Sequence, residues 1–224
     1  MSNFALIAEG ITDQTFIQAV LEGLYGEDID VNPLQPALDR TDAARQETYG
    51  GWENVLRYLS MPDLVESIFF ANEYVVIQID TDCGEHRNFG VPYRRDGHEL
   101  TVEELRLAVR NRLIEAIGIE AFDSRKHQIH FAIAVHSLEC WLLPLYGSRR
   151  SDANRITGCE KRLATLAAAN GMTFQKTARH YRRLSSPMLE RRNIEHCRER
   201  SESFKAFVDS LPKTLNQLRP PTPP

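Results

Sequence analysis

The sequence predicts an α/β protein: a parallel-rich sheet flanked by helices, with a helical extension toward the C-terminal end. Three observations lead there. Apolar runs at 4–9, 74–80 and 128–135 are short enough for strands, and the run at 74–80 is β-branched and nearly continuous, as in a strand buried on both faces. Segments with apolar residues at helical spacing separate these runs, the alternation that builds a parallel sheet. Beyond the run at 128–135 the pattern is helical as far as residue 211.

Taken in order, residues 4–9 form the first strand and meet Glu9-Gly10 at its end. Thr12-Asp13 is placed to cap a helix whose apolar positions are Phe16, Ile17, Val20, Leu21 and Leu24. Residues 28–35 form a second strand, stopped by Pro36, and 37–50 read as a polar loop ending in Gly50-Gly51. Trp52, Val55, Leu56 and Leu59 share one helical face, and Pro62 opens another short helix, where proline is tolerated. After the strand at 74–80, residues 81–100 hold Gly84, Gly90, Pro92 and Gly97 and form a long loop over the sheet end, a common place for function. Thr101-Val102-Glu103-Glu104 is a capping box that opens a helix through Ile117. The strand at 128–135 leads to a helix at 138–146 capped by Ser137, then to helices at 158–170 (ended by Gly171), 175–184, 187–198 and 201–211. The expected organisation is a catalytic domain over 1–146, a basic helical extension over 147–217, and a disordered or extended Pro-rich tail over 218–224.

The 224 residues are 42% hydrophobic and 26% charged, a globular composition long enough to bury a large core. The first apolar stretch is short, lacks a basic leader and meets Glu9 at once, unlike a signal peptide. No apolar run approaches the ~20 residues that span a bilayer, so no membrane role and a cytoplasmic location are expected. Cys83, Cys140, Cys159 and Cys197 include no close pair, which argues against a zinc ribbon; free thiols are expected, with Cys140 a small core residue. The net charge of −4 conceals an asymmetry: residues 1–145 carry 11 Lys+Arg and 24 Asp+Glu, whereas 146–200 carry 13 and 5. An acidic half joined to a basic helical segment suits an enzyme that holds a polyanion near metal ions; solvated basic helices balancing an acidic body would give the same count.

The chemistry-bearing residues sit where strands end. Glu9 precedes Gly10, where the backbone can turn sharply, and a carboxylate there can bind metal or move a proton. In Asp80-Thr81-Asp82, an extended segment would put both carboxylates on one face, within reach of one ion. Converging carboxylates repel unless a cation or a shared proton neutralises them, and Mg²⁺ or Mn²⁺ is the simplest such cation. An EF-hand is excluded, because its twelfth position counted from Asp80 is Val91 rather than Glu. A haloacid-dehalogenase phosphatase fits poorly, since its pair lies on the first strand and Gly84 stands where Thr or Val is usual. Glu139 is the acid of an otherwise apolar first helical turn and a further ligand or orienting group, with His136 nearby. Lys176, Arg179, Arg182 and Arg183 put positive charge on one predicted helix, to contact nucleic acid.

Together, Glu9-Gly10-Ile11-Thr12-Asp13, Asp80-Thr81-Asp82 and Ser137-Leu138-Glu139-Cys140-Trp141-Leu142-Leu143, with the closing Ser201-Glu202-Ser203-Phe204-Lys205-Ala206-Phe207, resemble the Toprim family. This Rossmann-like fold is shared by topoisomerases, primases and the overcoming-lysogenization-defect nucleases, and the motifs look like those of small bacterial Toprim proteins linked to phage defence or mobile elements. The resemblance covers about residues 4–146 well and the helical tail loosely. It implies a Mg²⁺- or Mn²⁺-dependent nuclease acting on DNA or RNA, with Glu9 as general acid/base, Asp80 and Asp82 as metal ligands, Glu139 as a further acidic ligand and Lys176 as a phosphate-stabilising residue. Gly10 and Asp13 then form the turn that follows the glutamate. The chain departs from the larger nucleases in having no Walker A sequence, so an ATPase would be a separately encoded partner, if one is needed at all. Two other readings compete: a non-catalytic Toprim-like module that binds nucleic acid or a partner, and another metal-dependent phosphotransfer or glycosyltransfer enzyme.

Overall fold

Apolar residues that alternate along each strand are sorted by the pleat onto two opposite faces, and helices must cover both. The computed structural model describes residues 2–36, 51–61, 63–153 and 155–215. Strand β1 (Ser2–Ile7) leads through helix α1 (Ile11–Tyr25) to β2 (Ile29–Gln35). Helices α2 (Trp52–Leu59) and α3 (Leu64–Ala71) precede β3 (Tyr74–Asp80). A small hairpin, β4 (Arg94–Arg95) and β5 (His98–Glu99), is followed by α4 (Val102–Ile117), α5 (Ile119–Arg125) and β6 (Ile129–Ala134). The chain continues through α6 (Glu139–Tyr146), the short α7 (Arg150–Ala153), α8 (Cys159–Ala169), α9 (Ala178–Ser185), α10 (Arg191–Arg198) and α11 (Glu202–Ser210). The main sheet has the order β2-β1-β3-β6, and every pairing in it is parallel.

One face of the sheet carries Phe4, Leu6, Val76, Ala132 and Ala134, packed against residues of α1, α6 and α8 to α11. The other carries Ala5, Ile7, Val75, Ile77 and Ile133, packed against residues of α2 to α5. The C-terminal helices are therefore part of the first core. Trp141 of α6 lies between Phe16 of α1 (ring centroids 6.0 Å apart) and Phe204 and Phe207 of α11 (5.2 and 5.8 Å), and its indole N–H donates to Ser203 Oγ at 2.8 Å.

Several expectations change at this level. Thr12-Asp13 does not cap α1: Gly10 is the N-cap, without a side-chain bond, and both residues lie in the first turn. Likewise Ser137 does not cap α6, whose N-cap is Leu138. The capping box at Thr101 and Glu104 is present, with Glu104 N–H donating to Thr101 Oγ1 at 3.2 Å and Thr101 N–H to Glu104 Oε2 at 2.9 Å. The long loop contains the hairpin β4-β5, turned by Asp96 and Gly97 at φ 52° and 81°; Asp-Gly is a preferred pair for such a turn. Cys140 and Cys159 form a disulfide between the starts of α6 and α8, contrary to the expectation of free thiols; Cys83 and Cys197 are free. The expected loop at 37–50, the helix start at Pro62 and the tail at 218–224 lie outside the described residues.

Candidate functional site

Strand order places the first two acidic motifs together. β1 has β2 on one side and β3 on the other, and α1 and α2–α5 cover opposite faces. The connections leaving β1 and β3 therefore diverge, and a crevice opens at the carboxyl ends of those two strands, the usual binding place of such sheets. Glu9 lies two residues beyond β1 and Asp80 is the last residue of β3.

Glu9 Oε1 accepts a 2.6 Å hydrogen bond from Asp80 N–H. Gln78, fully buried in β3, joins the same two residues: its Oε1 accepts from Glu9 N–H at 3.1 Å and its Nε2 donates to Asp80 Oδ1 at 2.9 Å. Leu138 N–H, at the start of α6, donates to Asp80 Oδ1 at 3.1 Å. These bonds use one oxygen of each carboxylate. Asp82 is not in extended backbone as expected; it stands exposed in a 3-10 turn (Thr81–Cys83). That turn is held by Asp82 N–H donating to the His136 carbonyl at 3.1 Å and by the Tyr93 hydroxyl donating to the Thr81 and Asp82 carbonyls at 2.8 and 2.7 Å. Tyr93 comes from the long loop, which closes back on the turn at Gly84, where a Cβ would stand 2.8 Å from Tyr93 Cε1 and from the Val91 carbonyl.

Asp13, expected to serve the turn, joins the carboxylates from the first turn of α1. A Cβ at Gly10 would lie 3.0 Å from Asp13 Oδ2, so the glycine leaves room for this carboxylate. Glu139, nearly buried, opens α6 and accepts a short hydrogen bond from the Tyr181 hydroxyl of α9. Lys176 Nζ stands 3.5 Å from Glu139 Oε1 and 2.9 Å from Glu160 Oε2. Lys176 precedes α9 rather than lying on it; Thr177 is the N-cap of that helix. Arg179, Arg182 and Arg183 are exposed on α9, on the side away from the buried Tyr181 and Leu184, and among the described residues none forms an ion pair.

The electrostatics match this crowding. Glu9, Asp13 and Asp80 keep some contact with solvent, yet surrounding protein desolvates each, and desolvation is the main cause of their shifts. Glu9 is pushed up to about 8, with Asp13 and Asp82 adding to the shift. Asp13 is pushed up to about 7, and the charge of Glu139 adds to desolvation. Asp80 is raised well above the carboxylate range by desolvation and by Asp13, Glu9, Glu139 and Asp82. Asp82 is also raised, by desolvation first, with Lys176 opposing. Glu139 goes the other way: desolvation raises it, but the Tyr181 hydroxyl, the Lys176 ammonium, the Ser137 hydroxyl and its own backbone N–H together hold it below its usual value. Burial lowers His136 and the Asp82 charge opposes this.

Five carboxylates thus share one crevice, and four of them have their proton affinity raised there. Hard oxygen donors of this kind fit Mg²⁺ or Mn²⁺. Among the described residues, however, no group of three or more His, Cys, Asp or Glu side chains is already arranged around a common point as a metal-ion site. Reading the sequence missed Gln78 and Tyr181 and gave Asp13 too small a part. A single amide inside the apolar run 74–79 was the available sign for Gln78; Tyr181 had none, since its partner is 42 residues away. Comparison with protein-family models, with curated proteins and with solved structures returns no match.

Proposed function

We propose that the chain is a Mg²⁺- or Mn²⁺-dependent Toprim-type nuclease that hydrolyses phosphodiester bonds in nucleic acid. The observation that carries this reading is the Glu9–Asp80 contact at the strand ends, with Asp13, Asp82 and Glu139 close enough to raise or lower one another's proton affinity. Asp80, Asp82 and Glu9 would hold the ion, with Glu139 beside them. Bound there, the ion would supply Lewis-acid activation of a phosphoryl oxygen and of a nucleophilic water. Glu9, whose proton affinity desolvation raises in the metal-free chain, would serve as the general acid/base beside the ion. The Glu139–Lys176–Glu160 bridge holds an ammonium at the edge of the crevice, where it can offset charge developing on a phosphate. Arg179, Arg182 and Arg183 offer exposed guanidinium groups to the phosphates of a strand.

The test is incubation of the purified protein with Mg²⁺ or Mn²⁺ and supercoiled DNA, single-stranded DNA or RNA. Cutting is expected to require the ion and to disappear in the double variant Asp80→Asn, Asp82→Asn. Undiminished cutting by that variant would overturn the site. Binding of nucleic acid without any cutting would instead favour a non-catalytic Toprim-like module.

A further inference from the structure

At the opposite end of α6 from Glu139, about 12 Å along the helix by its rise per residue, lies a cavity of about 490 Å³. It is lined by Gly147, Ser148, Arg149, Arg150, His196, Glu199 and Arg200. None of the five clustered carboxylates, nor Lys176, lines it. We propose that this cavity is a phosphate-binding site, independent of metal and of the carboxylate cluster. It would take the phosphate of a nucleotide-sized ligand or of a nucleic-acid 5′ end.

Three guanidinium groups and an imidazole face a single carboxylate there. Polar side chains at helix C-terminal ends commonly meet the free carbonyls there, and two of these groups do so. His196 Nε2 lies 3.2 Å from the Pro144 carbonyl, and Arg200 Nη1 donates to the His196 carbonyl at 3.0 Å. Arg200 is also 3.6 Å from Glu199 Oε2. Arg149 and Arg150 have no such use. Both are exposed, and among the described residues neither side chain forms an ion pair or a hydrogen bond. The nearby Asp152 feels the Arg149 charge without pairing with it, since Arg162 holds both its oxygens, at 2.7 and 2.8 Å. Gly147 lets the chain fold onto that pair, since a Cβ there would stand 2.7 Å from Asp152 Cβ. The turn that presents Ser148, Arg149 and Arg150 is thereby fixed from below, while its two guanidinium groups are left for a ligand. A guanidinium fork matches phosphate oxygens in a bidentate fashion, and the volume falls within the range of small-molecule sites.

The experiment is calorimetric titration in EDTA with inorganic phosphate, a nucleoside 5′-monophosphate, the corresponding nucleoside, and one oligonucleotide with and without a 5′ phosphate. The monophosphate is expected to bind at least tenfold more tightly than the nucleoside. Arg149→Ala with Arg150→Ala should weaken it at least tenfold at an unchanged melting temperature. Glu199→Gln should tighten binding by freeing Arg200, which a purely structural role for these residues would not produce. Tighter binding of the monophosphate than of the phosphorylated oligonucleotide identifies a free nucleotide as the ligand; the reverse order identifies a strand end. Absence of phosphate-dependent binding, or equal binding by the double variant, would overturn the proposal. Chelation removes the metal-dependent reaction from the measurement, so either outcome leaves the nuclease reading to its own test.

Discussion

Glu9 and Asp13 hold protons in the folded chain that they would lose at neutral pH in the unfolded one. Their values rise from about 4.5 to about 8 and from about 3.8 to about 7, chiefly through desolvation. The sign follows from proton counting. Between the unfolded and folded values the native state binds more protons, so stability contributed below pH 4 is lost as pH rises through 7 and 8. With chelator present, the melting temperature should fall steadily from pH 5 to pH 8. Asp13→Asn should flatten that fall and raise the melting temperature at pH 8, and millimolar Mg²⁺ should do the same in the unchanged chain. A melting temperature that climbs over this range would show that these carboxyls are not strained together. The strand-end positions of Glu9 and Asp80 were legible in the sequence, because an apolar run followed by an acid fixes where a strand stops. The setting of Asp13 was not. A short acidic side chain near a helix start is read by default as a cap, and only the mutual effects of Asp13 on Glu9 and Asp80, and of Glu139 on Asp13, show that it also faces the crevice.

At the scale of elements, the site depends on α6 and α8 as much as on the strands. Cys140 follows Glu139 at the start of α6, and Cys159 precedes Glu160 at the start of α8. The disulfide between them therefore links the two carboxylates that hold Lys176. It closes a loop between cysteines 19 positions apart, for which chain entropy suggests about 3 kcal/mol of stabilisation. Urea denaturation should show this loss when a dithiol reduces the protein. The variant Cys140→Ala, Cys159→Ala should match the reduced protein and ignore the reductant; a variant as stable as the oxidised chain would contradict the role given to the crosslink. The sequence hid this pair for a physical reason. Cysteines so far apart meet only once α6 and α8 have packed, and that is tertiary information. Helices α8, α9 and α11 were legible from their periodicity, but α5 and α7 were not. The helix expected at 187–198 is a 3-10 turn (Ser186–Leu189) followed by α10, and the place of these helices on the sheet was hidden. Phe204 and Phe207 read as the apolar face of some helix, and nothing local says that Trp141 is their partner.

Over the whole molecule, the charge asymmetry between residues 1–145 and 146–200 becomes a question of which basic residues are free. Folding commits several. Arg162 is held by Asp152, Arg198 by Glu195 and Asp209, Arg192 by Glu190, and Lys176 by Glu139 and Glu160. A count along the chain could not separate these from Arg179, Arg182 and Arg183, because ion pairing depends on which helices meet. Those three have the spacing of neighbours on one helix face, and the same helix sends Tyr181 inward to Glu139. One short helix thus ties an exposed basic face to the carboxylate crevice. If that face contacts a strand, each phosphate it neutralises releases counterions, and log K against log salt steepens by about 0.7 per contact for single strands and about 0.9 for duplex. Replacing Arg179, Arg182 and Arg183 with Ala should therefore weaken nucleic-acid binding and flatten the slope by about 2 to 3 units in total. The melting temperature should hardly move, since no described ion pair is broken, and Mg²⁺ binding should persist. Lys176 is best left out of this variant, because its loss would also unbalance Glu139. An unchanged salt slope would mean that α9 is only a solvated cover of the sheet. The phosphates of a substrate would then have to be held elsewhere, and a small phosphate-bearing substrate would become the better match for the crevice.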